Sequence, residues 1–336
     1  MADPLPRMQD TRTLCGLLAA LALAIGLLSL LAGSAPIAPG AVLGALTGRG
    51  DPVAIAIVTA IRLPRALLGL LVGGVLGLSG AALQGFLRNP LAEPATLGIS
   101  NSAALGGVIA LYFGFAAASS WALPVFAIAA ALAAMAILSA LSHWSDGTHT
   151  IILGGIALAT LAGAGIALAL NLSSDPFAIT EITFWLMGSV EDRSMDQVLL
   201  VLPFALAGAA LLLWQGGMLD ALTLGEDTAR SLGFDMRRGA MAVMAGVALG
   251  VGASVAVSGA IGFVGLMVPH MLRPFVGSRP SKLLIPSALA GAAMLTAADI
   301  LVRLIPTQNT LGLGVVTAFL GTPVFLHLLL RARRMA

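Results

Sequence analysis

The sequence predicts an all-α, polytopic membrane protein of about ten transmembrane helices. Of its 336 residues, 59% are hydrophobic and 10% are charged, so the chain has too little polar surface to face water on all sides. Apolar runs of about 20 residues, the length that a bilayer requires, also recur along the whole chain. The net charge of +2 gives no reason to expect nucleic acid binding, because the basic residues lie in short loops.

Ten apolar runs follow one another along the chain. The first run, 14–32, follows a polar leader with Arg7 and Arg12 and is similar to a secretory signal, but it is longer than a usual signal core. We therefore expect it to be a retained first helix. The other runs are 64–86, 97–115, 121–142, 151–171, 198–216, 239–257, 260–276, 283–301 and 312–330. An even number of spans places both termini on the same side of the membrane.

The basic residues indicate how these spans are oriented. With the N-terminus inside, 12 of the 17 Lys and Arg residues fall on the inner side, which is the bias of cytoplasmic loops. We therefore expect both termini in the cytoplasm. The basic residues that remain on the outer side are Arg49, Arg62, Arg65, Arg193 and Arg303.

The run that follows the RLPR sequence carries a small residue at every fourth position. This spacing puts one bare stripe along a helix, against which another helix can pack closely. The stripe consists of Gly69, Gly73, Gly77, Ala81 and Gly85. Arg62 and Arg65 stand at the start of the predicted helix, where the helix dipole disfavours cations. They are either interfacial anchors or a basic lip that receives an acidic partner.

A proline-bracketed turn, NPLAEP at 89–94, ends this helix. Pro90 and Pro94 forbid a continuous helix. Irregular backbone is tolerated near a membrane only where it faces protein, a cavity or water. We therefore expect a hinge at the inner end of the helix.

The longest inner loop, Leu219–Arg238, contains a predicted short helix between two glycines. Acidic residues in its first turn and a basic residue in its last match the helix dipole, and two of them form an i,i+4 pair. The residues concerned are Gly225, Glu226, Asp227, Arg230 and Gly233. The apolar neighbours Leu222, Leu224, Leu232 and Phe234 are expected to pack around it. The helix is either folded onto the bundle or presented to a cytoplasmic partner.

Catalysis is not expected of this chain. Ser79 lies in a GLSG sequence, which matches a short intramembrane protease pattern, but it also lies in the small-residue stripe and has no histidine in a convincing partner motif.

No GxxxxGK[ST] sequence occurs, so ATP-driven work requires another subunit. His270 is expected to be structural, because no carboxylate or second histidine lies at ligand spacing, and no metal site is expected. The single cysteine, Cys15, excludes an intrachain disulfide.

Six blocks together resemble the permease family of ABC importers for iron-siderophore, haem and cobalamin, and they cover nearly the whole chain in order. The blocks are RLPR (62–65), NPLAEP (89–94), FWLMGS (184–189), LGEDTARSLG (224–233), GFVGLMVPH (262–270) and AADILVR (297–303). The chain departs from the family at 305–314, where IPTQNTLGLG replaces a Pro-Glu-Leu-Pro-like turn and alters the expected geometry of an outer loop.

The resemblance implies one transmembrane permease domain over residues 1–336, working as a homodimer or heterodimer in the lipid of the bacterial inner membrane. Its partners would be two cytoplasmic ATPase subunits, which carry ATP and Mg, and a periplasmic or lipid-anchored substrate-binding protein. The permease itself would need no cofactor.

The resemblance also implies roles for individual residues. The binding protein would dock on Arg62, Arg65 and Arg303. The ATPase would contact the 219–238 loop through Leu224, Gly225, Glu226, Asp227, Arg230, Leu232 and Gly233. The translocation pathway and its inner gate would involve Asn89, Leu91, Thr148, His149, Gly155 and Gly163.

The implied function is ATP-driven alternating access that moves an iron chelate, a siderophore or haem, with cobalamin as the alternative cargo. The alternative from another class is an ion-coupled secondary transporter, which normally needs ionisable groups at mid-membrane. Asp299 is the only acidic candidate for such a group, and it lies near the end of its span. It either neutralises Arg303 at i,i+4 or leaves Arg303 free to join the outer lip.

Overall fold

The computed structural model describes residues 11–144, 148–277, 279–305 and 311–333, and within these ranges it describes side chains except at 142–149 and 324–333. The described residues form α-helices joined by short turns. The helices are α1 (Thr11–Leu31), α2 (Pro39–Leu46), α3 (Pro52–Ala56), α4 (Leu63–Phe86), α5 (Ile99–Tyr112), α6 (Phe115–Ala118), α7 (Ala122–Trp144), α8 (Thr148–Leu172), α9 (Pro176–Leu186), α10 (Met195–Trp214), α11 (Gly216–Leu222), α12 (Glu226–Ser231), α13 (Met236–Ser258), α14 (Val264–Val276), α15 (Pro280–Leu304) and α16 (Leu313–Arg333).

Each of the ten predicted runs coincides with one of these helices. The ten are α1, α4, α5, α7, α8, α10, α13, α14, α15 and α16. Over the described ranges, seven helical segments are long and apolar enough to cross a bilayer. Helices α5 and α14 are shorter, with 14 and 13 residues. The all-α, polytopic fold predicted from hydropathy is therefore confirmed.

The helix that carries Arg62 and Arg65 begins earlier than the sequence predicts. Asp51 caps α3 by accepting a hydrogen bond from the Ala54 backbone N–H at 3.2 Å, and α3 runs into α4 through a π-helical segment, Ile57–Arg62. Pro64 lacks an N–H and its ring needs space in the preceding turn, which the wider π-helical turn can provide. The two arginines therefore lie within one continuous helical segment and not at its start.

The small-residue stripe of α4 packs directly against α15. A Cβ atom added at Gly73 or Gly77 would overlap the α15 backbone at Gly291 or Ser287, and the same change at Gly80 would overlap Gly265 of α14. The predicted close approach of two helices is thus confirmed. Helices α4 and α15 form a tightly packed pair, and we call it the α4–α15 pair.

Candidate functional site

Three arginines that the sequence places on the outer side are drawn together around Asp299 and the end of α1. We call Arg62, Arg65, Asp299 and Arg303 the arginine cluster. Arg65 donates from Nε to both Asp299 oxygens at 3.0 and 3.2 Å, and its Nη2 lies 2.9 Å from Asp299 Oδ1. Arg303 binds the same carboxylate from the next helical turn of α15. One buried carboxylate therefore joins α4 to α15.

The same cluster closes the C-terminal end of α1. Arg62 donates from Nη1 to the carbonyls of Leu30 and Leu31 at 2.9 and 3.1 Å. Arg303 donates to the carbonyl and hydroxyl oxygens of Ser29 at 2.9 and 2.7 Å. The last carbonyls of a helix lack intrahelical partners and carry partial negative charge, so guanidinium groups stabilise them. This explains how Arg62 is kept within apolar surroundings without a carboxylate of its own.

A basic lip, one of the two interpretations of these arginines, would require exposed side chains, but the three arginines are buried. Arg62 and Arg65 are 4% and 8% exposed, and the Arg303 side chain is 7% exposed. The helix carbonyls and Asp299 draw the guanidinium groups inward. At the solvent edge, Arg65 Nη1 forms an ion pair at 3.2 Å with Glu191, whose side chain is 36% exposed. Docking of a partner at this cluster stays a prediction.

The NPLAEP turn at the other end of α4 is compact and internally bonded. The Leu91 backbone N–H donates to Asn89 Oδ1 at 2.9 Å, and the Thr96 hydroxyl donates to the Glu93 carbonyl at 2.7 Å. Gly98 ends the turn with φ +70°, a conformation that glycine adopts without steric cost. The predicted break in the helix at the two prolines is confirmed.

A cavity of about 290 Å³ lies between this turn and α8. It brings together the pathway candidates Asn89 and Leu91 with one side of α8, and it also touches Thr96. The α8 residues that line it are Ile152, Ile156, Ala159 and Thr160. Two further pathway candidates, Thr148 and His149, have side chains outside the described residues. The lining is apolar apart from hydroxyl and amide groups, so it offers a large solute no charge to bind.

Gly155 and Gly163 of α8 have different surroundings although both were assigned to the pathway. A Cβ at Gly155 would lie 2.6 Å from the Leu97 Cα and 3.0 Å from the Thr96 carbonyl oxygen, whereas a Cβ at Gly163 would meet nothing within 4 Å. Gly155 is therefore required for contact between α8 and the hinge, and Gly163 is not.

Gly155→Val is expected to lower the free energy of unfolding by about 1–3 kcal/mol, because the added atoms force α8 away from the turn backbone. Thermal unfolding of the detergent-solubilised protein measures this. Gly163→Val is the matched control and is expected to shift stability by about 0.5 kcal/mol or less, since it enters open space. Equal losses for the two variants would contradict the packing that separates them.

Helix α12 forms as predicted between two glycines. Gly225 and Gly233 adopt φ angles of +104° and +89°. Residues other than glycine rarely adopt this backbone conformation. Arg230 pairs with Glu226 at 2.8 Å and more loosely with Asp227 at 3.8 Å. All three charges lie on the surface, so the pairs contribute little to stability.

Two of the apolar residues that flank α12 are exposed. Leu222 is buried as expected, but Leu224 and Leu232 are 66% and 60% exposed. They border a groove of about 630 Å³ together with Phe234 and Arg279. The prediction that both leucines pack against the loop helix is therefore wrong. Their exposure favours the second interpretation, in which α12 is presented to a partner.

Asp220 of α11 joins the same groove to the start of α15, a contact that the sequence did not single out. Its Oδ1 accepts from the Ser281 backbone N–H at 2.9 Å, and its Oδ2 accepts from the Ser281 hydroxyl at 2.7 Å and from Arg279 Nε at 2.6 Å. Desolvation raises the pKa of this carboxyl, but the bonds from Ser281 and Arg279 outweigh it and lower the pKa. We call Asp220, Arg279 and Ser281 the inner clip.

The described residues show no arrangement for covalent or metal chemistry. The Ser79 side chain is fully buried and its hydroxyl has no hydrogen-bond partner there, so no described base activates it. His270 lies in α14 directly after Pro269, as expected, and its Nδ1 has no partner. Over the same residues, no group of three or more His, Cys, Asp or Glu is placed to hold a metal ion.

Comparison with known proteins gives consistent matches along the chain. The sequence profile of the FecCD transport family matches residues 21–331. The chain is 40% identical to the vitamin B12 import system permease protein BtuC of Salmonella paratyphi A (strain ATCC 9150 / SARB42), over 98% of each chain. It is 41% identical to BtuC of Escherichia coli O9:H4 (strain HS), over 92% of each chain.

Two further matches support the same placement. The uncharacterized ABC transporter permease protein YvrB of Bacillus subtilis (strain 168) is 42% identical over 87% of this chain and 83% of the relative. A solved structure, described as an inward-facing conformation of a putative metal-chelate type ABC transporter, superposes with a TM-score of 0.85. That structure is 31% identical and covers 95% of this chain and 99% of the other.

Proposed function

The chain belongs to the FecCD transport family as a permease subunit of an ABC importer, and from this premise we propose that its cargo is a cobalamin. The family also makes it a multi-pass membrane protein whose ATPase activity lies in a separate subunit. One observation carries the choice of cargo: similarity to vitamin B12 permeases extends over 98% of both chains. This replaces the order of cargoes expected from the sequence alone, in which an iron chelate came first.

An iron chelate, a siderophore or haem, is the second candidate. It is supported by the likeness to a transporter described as a putative metal-chelate type, which is 31% identical over nearly the whole chain. Both cargoes are bulky chelates, and the cavity beside α8 offers either of them an apolar surface with few polar groups.

Uptake by the reconstituted importer decides between the two cargoes. The permease, its ATPase and its binding protein are placed in proteoliposomes with labelled cyanocobalamin, a ferric siderophore or haem supplied one at a time. The proposal expects ATP-dependent accumulation of cyanocobalamin that excess unlabelled cobalamin competes away. Accumulation of an iron compound alone would transfer the proposal to the second candidate.

The proposed mechanism uses the two ends of the α4–α15 pair. With the termini in the cytoplasm, α12 lies on the cytoplasmic side, where an ATPase can receive Leu224 and Leu232 in a groove. The arginine cluster lies on the periplasmic side, where a binding protein would dock. Closure of the two ATPase subunits would then move the loop helices. This movement would open the translocation pathway to one side of the membrane at a time, with no covalent change in the cargo.

The proposal includes two copies of the permease side by side. Helix α8 is poorly covered within one chain, and Leu153, Leu161 and Leu168 on it are more than half exposed. An apolar helix at the edge of a bundle is suited to meet lipid or a second copy. A central route between paired α8 helices would place the cavity beside the hinge at its inner end.

Ion coupling is disfavoured by the environment of Asp299. This carboxylate is 2% exposed and is bound by two guanidinium groups. A proton or ion carrier must change its protonation or ligand during transport. Neutralising Asp299 would leave the buried Arg303 without a carboxylate and Arg65 with only Glu191. Asp299 is thus suited to hold helices together and not to carry ions.

Glu191→Gln tests whether the arginine cluster docks an acidic partner. The change removes the one exposed carboxylate paired with Arg65 and leaves Arg65 Nη1 available to a carboxylate of the binding protein. We expect the affinity for the binding protein to rise about threefold at low salt and the gain to be lost at high salt. Titration of the binding protein over the surface-immobilised permease measures the affinity.

Asp192→Asn is the matched control, because it removes one charge at the adjacent position. Asn tolerates the left-handed φ of +53° that Asp192 adopts. Unchanged affinity is expected for this variant. Equal gains in the two variants would show that total charge, and not the Arg65 contact, governs docking.

A further inference from the structure

We propose that Asp220 is a positioning residue that makes α15 move with the loop helices α11 and α12, so that the α4–α15 pair transmits motion between the two partners. The inference rests on the proposed function, because that function assigns α12 to the ATPase and the arginine cluster to the binding protein. It adds a residue and a mechanical route that neither assignment contains.

The first step is that α15 is capped from another element. The first N–H groups of a helix need acceptors, which a residue just before the helix usually supplies. Arg279 occupies that position in α15 and supplies no side-chain cap. Asp220 supplies it across the fold, and Arg279 donates to Asp220 as well. A carboxylate at a helix N-terminus also interacts favourably with the helix dipole.

The second step is that α11 and α12 are closely connected. Only the turn 223–225 separates the two helices. It is fixed by backbone bonds from the Leu224 N–H to the Ala221 carbonyl at 3.0 Å and from the Gly225 N–H to the Leu222 carbonyl at 3.1 Å. A displacement of α12 therefore reaches Asp220 without a flexible linker in between.

The third step is that α15 carries a displacement along its length. Its backbone is in direct contact with α4 at Gly73 and Gly77, so neither helix can slide without the other. From Ser281 to Asp299 the helix extends about 27 Å, close to the thickness of a hydrocarbon core. At that far end Asp299 holds Arg65 and Arg303. The inner clip and the arginine cluster thus fix the two ends of one rigid pair.

A purely local role would not require this arrangement. A Ser, Thr, Asp or Asn at position 279 would cap α15 by itself. The chain instead places a cap on α11, about 60 residues earlier in sequence, with its side chain 16% exposed and bonded through both oxygens. A cap supplied from α11 ties α11 to α15, which suits two helices that move together.

The test uses the complete complex in proteoliposomes with Asp220→Ala. Basal ATP hydrolysis, its stimulation by loaded binding protein, and uptake are measured together with co-purification of the ATPase. We expect the complex to assemble with basal hydrolysis nearly unchanged, while stimulation by the binding protein and uptake fall about tenfold, the size of a typical coupling between sites. In Asp220→Asn, stimulation and uptake are expected to fall less. The amide oxygen still accepts from Ser281, although the charge opposite Arg279 is lost.

Asp175→Ala is the matched control. Asp175 is also a capping carboxylate, but it caps its own helix, α9, by accepting from the Phe177 N–H at 2.9 Å. Its removal is expected to leave stimulation unchanged. If Asp220→Ala does not assemble, Asp220→Asn and Ser281→Ala decide the matter: lost stimulation in assembled complexes supports the link, and unchanged stimulation overturns it.

The outcomes separate this inference from the proposed function. A wild-type complex without ATP-dependent uptake contradicts the proposed function itself. A wild-type complex that transports, beside an assembled Asp220→Ala complex with full stimulation and uptake, overturns only the role of Asp220.

Discussion

Asp299→Ala is expected to lower the free energy of unfolding of the permease by about 3–5 kcal/mol, the typical cost of breaking a buried ion pair from one side. The change leaves the buried Arg303 guanidinium group without a carboxylate and leaves Arg65 with only its ion pair to Glu191. It also removes the bridge between α4 and α15. Chemical denaturation of the detergent-solubilised protein measures the loss.

A second variant separates the stranded charges from lost packing. Asp299→Leu combined with Arg65→Met and Arg303→Met removes the carboxylate together with the two guanidinium groups that bind it, and fills the space with apolar atoms. Since such replacements are often close to neutral, we expect most of the lost stability to return. A triple variant as unstable as Asp299→Ala would show that the charges themselves are not the cause.

Leu224→Asp together with Leu232→Asp is expected to abolish stable association with the ATPase. Both leucines are largely exposed beside the groove at α12, so the fold does not need them, but an apolar partner pocket would. Two central contacts worth about 2 kcal/mol each correspond to a loss of affinity of about 1,000-fold if they add. Co-purification and binding titration of the isolated ATPase measure it.

Leu43→Asp serves as the control for this experiment. Leu43 is 66% exposed and lies in a short helix, α2, near the other end of the bundle. The same substitution there is expected to leave ATPase association intact. If the two loop leucines can be replaced without loss of association while the protein remains folded, α12 is not the ATPase contact.

Local signals account for what the sequence predicted correctly. Ten apolar runs of bilayer length correspond to helices because a chain in lipid must satisfy its backbone hydrogen bonds within each segment. The α12 helix was found because glycines end short helices and charges follow the dipole. The stripe from Gly69 to Gly85 predicted close packing, although not that α15 would be the neighbour.

Contacts between distant parts of the chain account for what the sequence did not predict. Arg62 and Arg65 were expected at the start of a helix, because the apolar run begins at residue 64. The helix instead continues through a π-helical segment. The acceptors that bury these arginines are carbonyls about 30 residues away and a carboxylate 234 residues away. No local pattern encodes such pairs.

Asp220 shows the same limit at the other end of the fold. It lies in the loop that the sequence singled out, yet its partners Arg279 and Ser281 are about 60 residues further along. Because Asp220 caps α15 from another helix, the residue in front of α15 is Arg279 and not a typical capping residue. The sequence around α15 therefore gives no local sign of the cap. Of the altered outer turn at 305–314, residues 306–310 lie outside the described residues.

ATP dependence of uptake in proteoliposomes tests the central claim most directly. The permease is reconstituted with its ATPase and loaded binding protein, and uptake of labelled cargo is compared with ATP inside, without ATP, and with an ATPase variant that binds but does not hydrolyse ATP. An imposed ion gradient without ATPase is the remaining condition. The account predicts sustained uptake only with ATP and the active ATPase. Uptake driven by the ion gradient in the absence of ATPase subunits would contradict it.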